Sequence, residues 1–132
     1  MFEKFQLNTK ETSLTIVANK VNSVRNKNIT KTAYRYYSDN KIGIGAKIGT
    51  YNEESLKKIA MDNIALNIPY ESTPEENLQK TVSYKSDIQS KEELITKSEK
   101  LLEQLSKDQP DFLFSNKINM TKKTVSLSNE KG

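Results

Sequence analysis

The stretch of sequence that decides the fold runs from Thr30 to Ile48 and reads Thr-Lys-Thr-Ala-Tyr-Arg-Tyr-Tyr-Ser-Asp-Asn-Lys-Ile-Gly-Ile-Gly-Ala-Lys-Ile. Its first eight residues alternate strictly, which places Tyr34 and Tyr36 on one face of a predicted strand together with two threonines. Asp39-Asn40 follows, and both residue types tolerate the positive φ that a two-residue hairpin turn requires. The stretch therefore predicts an antiparallel hairpin whose aromatic side meets the core.

Two glycines recur at period two in the second strand of this hairpin. Gly43 and Gly45 fall on one face, where a missing side chain weakens a strand. Such a pair predicts that a helix or neighbouring aromatic rings pack very close to the backbone. A phosphate-binding loop is not favoured, because no third glycine, no Lys-Ser/Thr pair and no immediately following helix completes that motif.

The chain before the hairpin is also predicted to be extended. β-branched residues favour a strand at about 12–18, and the segment 21–24 either continues that strand or pairs with it. The polar segment 25–28 is predicted to be a turn or a strand edge.

Two helices are predicted after the hairpin. Asn52 is a candidate N-cap for a helix over about 53–67 that Pro69 stops, with an apolar stripe of Leu56, Ile59, Ala60 and Ile64. Ser90-Lys-Glu-Glu93 matches a capping box for a helix over about 90–107. Its stripe consists of Leu94, Ile95, Leu101, Leu102 and Leu105. Packing of this stripe on the chain's own sheet is favoured over dimerisation, because two heptads fall short of a coiled-coil signal.

The remaining segments complete the predicted order of elements. Residues 69–80 are predicted to be a polar excursion and 81–84 a short strand. The segments 112–114 and 118–120 are predicted to be extended and to form a hairpin with 124–127 that turns near 121–123. The order predicts a single α+β domain over residues 1–132, with a mainly antiparallel sheet and two amphipathic helices packed on one face.

The composition excludes most familiar enzyme chemistry. Hydrophobic residues make up 34% of the 132 residues and charged residues 29%, while histidine and cysteine are absent. The chain therefore cannot form an imidazole or thiolate zinc site, a Ser-His-Asp or Cys-His nucleophile, or a disulfide framework. A carboxylate magnesium site needs no motif and stays open. We assign no catalytic residue and no metal ligand to this chain, and its enzymatic status stays undecided.

Charge and hydropathy set expectations for partners and location. Residues 1–50 carry nine Lys or Arg against three Asp or Glu, which suggests an anionic partner. Only two of the 21 basic residues are arginines, however, and the RNA-recognition signature is absent, so nucleic-acid binding is disfavoured. Because no apolar run could span a membrane or direct export, we expect a cytoplasmic protein with no membrane partner.

Several stretches together resemble one known family. They are Val21-Asn-Ser-Val24, Ala33 to Tyr37, Asp39-Asn40, Lys41-Ile-Gly43, and Glu54 to Ile64. Their pattern and spacing resemble the N-terminal domain of the TldD/PmbA family, metallopeptidases that are also described as modulators of DNA gyrase. The positions that match the family pattern are Arg35, Gly43, Leu56 and Ala60. The end of the chain, 124–132, is similar to the family strand that runs into an Asn-x-x-Gly turn.

The resemblance implies a non-catalytic N-terminal domain of a zinc metallopeptidase, which shapes the peptide-substrate cleft and the subunit contact. The partners that it implies are a downstream catalytic domain, a homologous subunit, and an unfolded or modified peptide. The residues predicted to contact substrate are Arg35, Tyr34, Tyr36 and Gly43. The family's zinc site combines a His-Glu-three residues-His helix with a later Cys, so no cofactor is assigned to this chain and zinc belongs to the parent protein.

The alternative is a stand-alone protein-binding module with a basic sheet face. Its contacts are Lys20, Arg25, Lys27, Lys31 and Arg35, with Tyr34 and Tyr36 between them. The coding sequence after Gly132 discriminates the two hypotheses, because only the first expects a His-Glu-three residues-His pattern there.

Overall fold

The computed structural model describes residues 1–71 and 89–130. The regular elements are β1 (Phe2–Val17), β2 (Lys20–Ser38), β3 (Lys41–Ile48), α1 (Glu53–Asp62), a short 3-10 helix (Asn63–Leu66), α2 (Lys91–Asp108) and β4 (Asn116–Asn129). The four strands form one antiparallel sheet in the order β3-β2-β1-β4. The α+β fold class predicted from the sequence is confirmed.

The chain divides into two compact units. Among the described residues, unit 1 comprises 1–8, 29–71 and 123–130, and unit 2 comprises 9–28 and 89–122. Strands β1, β2 and β4 contribute residues to both units, whereas α1 belongs to unit 1 and α2 to unit 2. The two units are described separately below, and the single domain over 1–132 stays a prediction.

The β2–β3 hairpin has the predicted turn and register. Asp39 and Asn40 adopt φ values of 50° and 57°, and Ser38 pairs with Lys41 across the turn. These left-handed conformations match the twist of the flanking strands, which is why short hairpin turns use them. The register then places Tyr36 opposite Gly43 and Tyr34 opposite Gly45.

Helix α1 packs directly on the two glycines, which is one of the two arrangements that the sequence predicts. The side chain of Asn52 caps the helix by accepting a hydrogen bond of 2.9 Å from the backbone N–H of Ser55. Leu56 and Ala60 are buried and form a hydrophobic cluster of unit 1 with Tyr34. The α-helix ends earlier than expected, at Asp62, because the chain tightens into the 3-10 helix and then turns at Asn67, whose φ is 55°.

The first two strands correct two predictions. Strand β1 begins at Phe2 instead of near residue 12, since its polar first half still pairs with β2: Gln6 donates to the Thr32 hydroxyl at 3.1 Å. The prediction of a turn at 25–28 is also wrong, because these residues lie within β2. The chain instead reverses at Ala18 and Asn19, with φ values of 48° and 63°.

Unit 2 contains the second helix and confirms its predicted start. Ser90 and Glu93 exchange both hydrogen bonds of the capping box, at 2.8 and 3.1 Å. The buried side of α2 is centred on Ser98 and Leu102, whereas Leu101 is 54% exposed. Leu101 therefore lies outside the packed stripe in which the sequence places it.

The prediction of a hairpin near the C-terminus is also wrong. Residues 112–115 form a loop, and one continuous strand, β4, then runs from Asn116 to Asn129. The loop is held by Asn19, whose side chain donates 2.8 Å to the carbonyl of Phe112 and accepts 2.6 Å from the N–H of Phe114. The strand predicted at 81–84 lies outside the described residues. Within the described ranges, no helix is long and apolar enough to cross a membrane.

Candidate functional site

A cleft of about 170 Å³ lies in unit 1 beside the start of α1. It is bounded by the first residues of β1, by Tyr34 of β2, by one side of α1 and by the last residues of β4. The residues that bring polar or aromatic groups to it are Phe2, Lys4, Tyr34, Glu53, Lys57 and Glu130. Strand alternation accounts for the first three, because Phe2 and Lys4 share the face of the sheet on which Tyr34 lies.

Aromatic rings pack around the cleft. Phe2 lies 4.8 Å from Tyr36 and meets Tyr34 edge-on at 6.5 Å, and Tyr34 lies 6.4 Å from Tyr51, all measured between ring centroids. Offset and edge-on pairs at such distances stabilise beyond the area that they bury. The rings therefore form a rigid apolar wall under the charged groups.

Two lysine ammonium groups lie over these rings, and they differ in their partners. Lys57 is 2.9 Å from the Glu53 carboxylate one helical turn away, and it also lies 5.4 Å from the Tyr34 ring centroid. Lys4 lies 5.9 Å from Tyr34 and 5.7 Å from Tyr51. Within the described residues, no carboxylate comes within 4.0 Å of the Lys4 ammonium group. In this part of the chain, Lys4 is therefore a cation without an anionic partner.

The Tyr34 hydroxyl is the unusual group of the site. Tyr34 is 2% exposed, and its hydroxyl makes no hydrogen bond to the described residues. Burial raises the pKa of Tyr34 to about 12, and the nearby Glu53 carboxylate adds to this shift. A buried hydroxyl without a partner costs free energy, because it has lost its bonds to water.

The Tyr51 hydroxyl interacts with Lys4. Interaction with the Tyr51 hydroxyl raises the pKa of Lys4, and the same contact lowers the pKa of Tyr51. The ammonium group of Lys4 is therefore positively charged at neutral pH and lies at the cleft.

The opposite face of the sheet holds a separate polar network. One carboxylate oxygen of Glu3 accepts from the Arg35 guanidinium at 2.8 Å and from the Tyr37 hydroxyl at 3.1 Å. Glu3 is buried, and burial raises the pKa of Tyr37 to about 12, with the charge of Glu3 contributing. Both donors are satisfied here, so this network has the bonding of a structural group.

The four predicted substrate-binding residues do not share one surface. Tyr34 and Tyr36 lie on the face that carries α1, and Gly43 lies directly beneath that helix. Arg35 points to the other face, toward Glu3. The same alternation separates Lys31 and Arg35 from Tyr34 and Tyr36, so unit 1 does not combine them as one basic aromatic surface. Substrate contact by these residues stays a prediction.

Sequence reasoning missed the charged half of the cleft. The available signals were Phe2-Glu-Lys4, which alternates like a strand, and the i,i+4 spacing of Glu53 and Lys57. Within the described parts of the chain, no three carboxylates come together to hold a metal ion. The cleft is equipped to bind a ligand by charge, hydrogen bond and ring contact, and the residues described around it include no activated nucleophile.

Comparison with known proteins gives a structural relationship. Neither a protein-family model nor a curated protein sequence matches this chain. The structure is similar to the crystal structure of TldE from Thermococcus kodakarensis, with a TM-score of 0.68 and 14% sequence identity. The similarity covers 96% of this chain and 31% of the TldE chain. The resemblance predicted from the sequence is therefore confirmed at the level of fold, and the chain has the fold of about a third of TldE.

Proposed function

We propose that this chain is a non-catalytic domain of a TldD/PmbA-like zinc metallopeptidase, in which it shapes the cleft for a peptide substrate and contributes to the contact with a homologous subunit. The observation that carries the proposal is the fold shared with TldE over 96% of this chain. The sequence resemblance to the N-terminal domain of the same family points in the same direction and rests on different observations.

The proposal assigns zinc binding and peptide hydrolysis to a part of the protein outside this chain. The chain has no histidine and no cysteine, and its described residues bring no three ligating carboxylates together. These residues do not fit a catalytic zinc site, which needs about three protein ligands on a fixed frame. The proposal therefore assigns the metal and the chemistry to a downstream catalytic domain and gives this chain no catalytic step.

Strand β4 supports the peptide-binding part of the proposal. It is the last strand of the sheet order, and among the described residues no further strand pairs with its outer edge. In unit 1 its segment 123–128 is exposed. An extended peptide can add to such an edge through main-chain hydrogen bonds, which recognise an unfolded chain with little regard for its sequence.

The peptide-binding part is tested with an unfolded peptide and a matched control. Fluorescence anisotropy compares a labelled peptide with the same peptide N-methylated at every residue, which removes the main-chain donors from both edges and keeps the side chains. We expect N-methylation to weaken binding at least 10-fold, because strand addition depends on those donors. Equal binding of the two peptides would contradict strand addition.

The predicted role of Arg35 is tested in the same assay. Arg35→Gln is expected to weaken peptide binding, whereas Arg25→Gln, which removes an exposed arginine of unit 2, is the charge-matched control. Because Arg35 also pairs with the buried Glu3, circular dichroism confirms that both variants are folded before binding is compared. If both variants weaken binding equally, the effect comes from net charge, and the proposed role of Arg35 is wrong.

The catalytic part is tested by elemental analysis and by a peptide hydrolysis assay. The purified chain is expected to hold no stoichiometric zinc and to leave an unfolded peptide intact. Chelator-sensitive cleavage by this chain alone would overturn its assignment as a non-catalytic domain.

A further inference from the structure

We propose that the cleft of unit 1 is a binding site for a carboxylate group, held between the Lys4 ammonium group and the Tyr34 hydroxyl. This inference rests on the geometry of the cleft and is independent of the proposed function. It names two donors of this chain and the chemical class of their acceptor.

Neither donor is hydrogen-bonded to a carboxylate of the described residues, although the Glu53 carboxylate lies near Tyr34 and the Tyr51 hydroxyl contacts Lys4. The Tyr34 hydroxyl is buried without a hydrogen bond, and Lys4 lies over two aromatic rings without a carboxylate partner among the described residues. Lys4 and Tyr34 both line the same cleft. A single acceptor group with two oxygens would satisfy both donors at once, and a carboxylate has this form.

The packing of Tyr34 does not by itself explain its hydroxyl. The ring contacts Phe2 and Tyr51 and joins the core with Leu56, and a phenylalanine ring would make the same contacts. The hydroxyl adds only the cost of an unpaired buried group in the ligand-free protein. A ligand that accepts its proton recovers this cost as binding energy.

The size and charge of the cleft select among anions. A volume of about 170 Å³ is enough for a carboxylate and its neighbouring atoms. Lys4 and Lys57 are balanced by Glu53 and Glu130 around the cleft. Because these charges cancel, the cleft has no net positive charge with which to hold a doubly charged phosphate, and a singly charged carboxylate is favoured.

The test is a titration of the full chain followed by NMR chemical shifts. The probes are acetyl-Ala-Ala with a free C-terminal carboxylate, the same dipeptide as its amide, acetyl-Asp amide, and inorganic phosphate. We expect saturable binding of at least one carboxylate probe, with the amide and phosphate at least 10-fold weaker. The comparison of the two carboxylate probes identifies whether the natural source is a chain terminus or an acidic side chain.

Three variants assign the binding to the cleft. Tyr34→Phe removes one hydroxyl and is expected to weaken carboxylate binding about 10-fold or more, as does Lys4→Met, since each loses a hydrogen bond to a charged group. Lys58→Met, at an exposed lysine of α1, is the matched control and should bind normally. Circular dichroism confirms that each variant is folded.

The proposal is overturned by any of three results. These are no saturable binding of either carboxylate probe, equal binding of the acid and its amide, and unchanged affinity in both folded variants, Tyr34→Phe and Lys4→Met. A phosphate affinity equal to or above that of the carboxylates would overturn the choice of ligand class.

Discussion

Replacement of Gly43 by alanine is the sharpest test of how α1 meets the sheet. A Cβ atom built on Gly43 lies 2.0 Å from the carbonyl oxygen of Ala60 and 2.9 Å from the backbone nitrogen of Ile64. Ordinary contact begins near 3.4 Å. Because both neighbours are backbone atoms of the helical segment, no side-chain rotation relieves the clash, and the helix itself must move away from β3.

The expected cost follows from what this movement uncovers. Leu56 and Ala60 are almost fully buried under α1, and a gap of 0.5–1 Å forfeits about a quarter to a half of each contact. Forced overpacking of this kind costs about 1–3 kcal/mol, and the backbone clash places Gly43→Ala at the upper end, about 3 kcal/mol. With a urea dependence of about 1–3 kcal/mol per molar, the unfolding midpoint falls by roughly 1–3 M.

The assay is urea unfolding followed by circular dichroism, with Gly49→Ala as the control. Gly49 has a φ of 82°, and a Cβ atom added to it would meet nothing within 4 Å, so its replacement costs about 1–2 kcal/mol of backbone strain and creates no clash. Gly45→Ala, with a Cβ 2.4 Å from the Leu56 oxygen, should behave like Gly43→Ala. Losses below 1 kcal/mol in both strand variants would refute the close approach of α1.

Three further predictions concern stability. Leu102→Ala should cost about 2–5 kcal/mol in urea unfolding, and the exposed Leu101→Ala should cost less than about 0.5 kcal/mol, so equal losses would contradict the observed orientation of α2. Ser90→Ala removes the capping box and should cost about 1 kcal/mol in the same assay. Stability should be full below pH 10 and fall toward pH 12, because unfolding releases the protons of Tyr34 and Tyr37, whose pKa values of about 12 lie above the ordinary 10.0. Each tyrosine contributes about 2–3 kcal/mol to this loss, so Phe at either position should flatten the decline in unfolding free energy across that range.

Local chemistry made some parts of the fold predictable. The Asp39-Asn40 turn, the two helix caps and the approach of a helix to Gly43 each depend on residues whose preference has one strong physical cause. The turn at Ala18-Asn19 was missed because alanine seldom adopts a positive φ, and only the pairing of two long strands holds it there.

The other errors of the sequence-based prediction concern β4, α2 and Lys4, and each has its own cause. Strand β4 is exposed on most of its length, so it needs no apolar alternation, and Thr121-Lys-Lys123 resembles a turn although it is strand. The orientation of α2 was ambiguous because Leu101 and Leu102 both fit a broad apolar stripe. The charged groups of the cleft were missed because a lone lysine such as Lys4 is ordinarily solvated, and only the fold places it beside Tyr34.

The two glycines of β3 connect the stability of unit 1 to its binding capacity. Because the two glycines let α1 contact the backbone of β3, they set the distance between the helix and the sheet. This distance places Glu53 and Lys57, near the start of α1, beside Tyr34. Asn63 reinforces this position at the other end of the helix, since its side chain donates 2.7 Å to the carbonyl of Ile44. A displacement of α1 would therefore widen the cleft without altering any group that lines it. Gly43→Ala should weaken carboxylate binding in NMR titrations of protein that is still folded, whereas Gly49→Ala should leave the affinity unchanged.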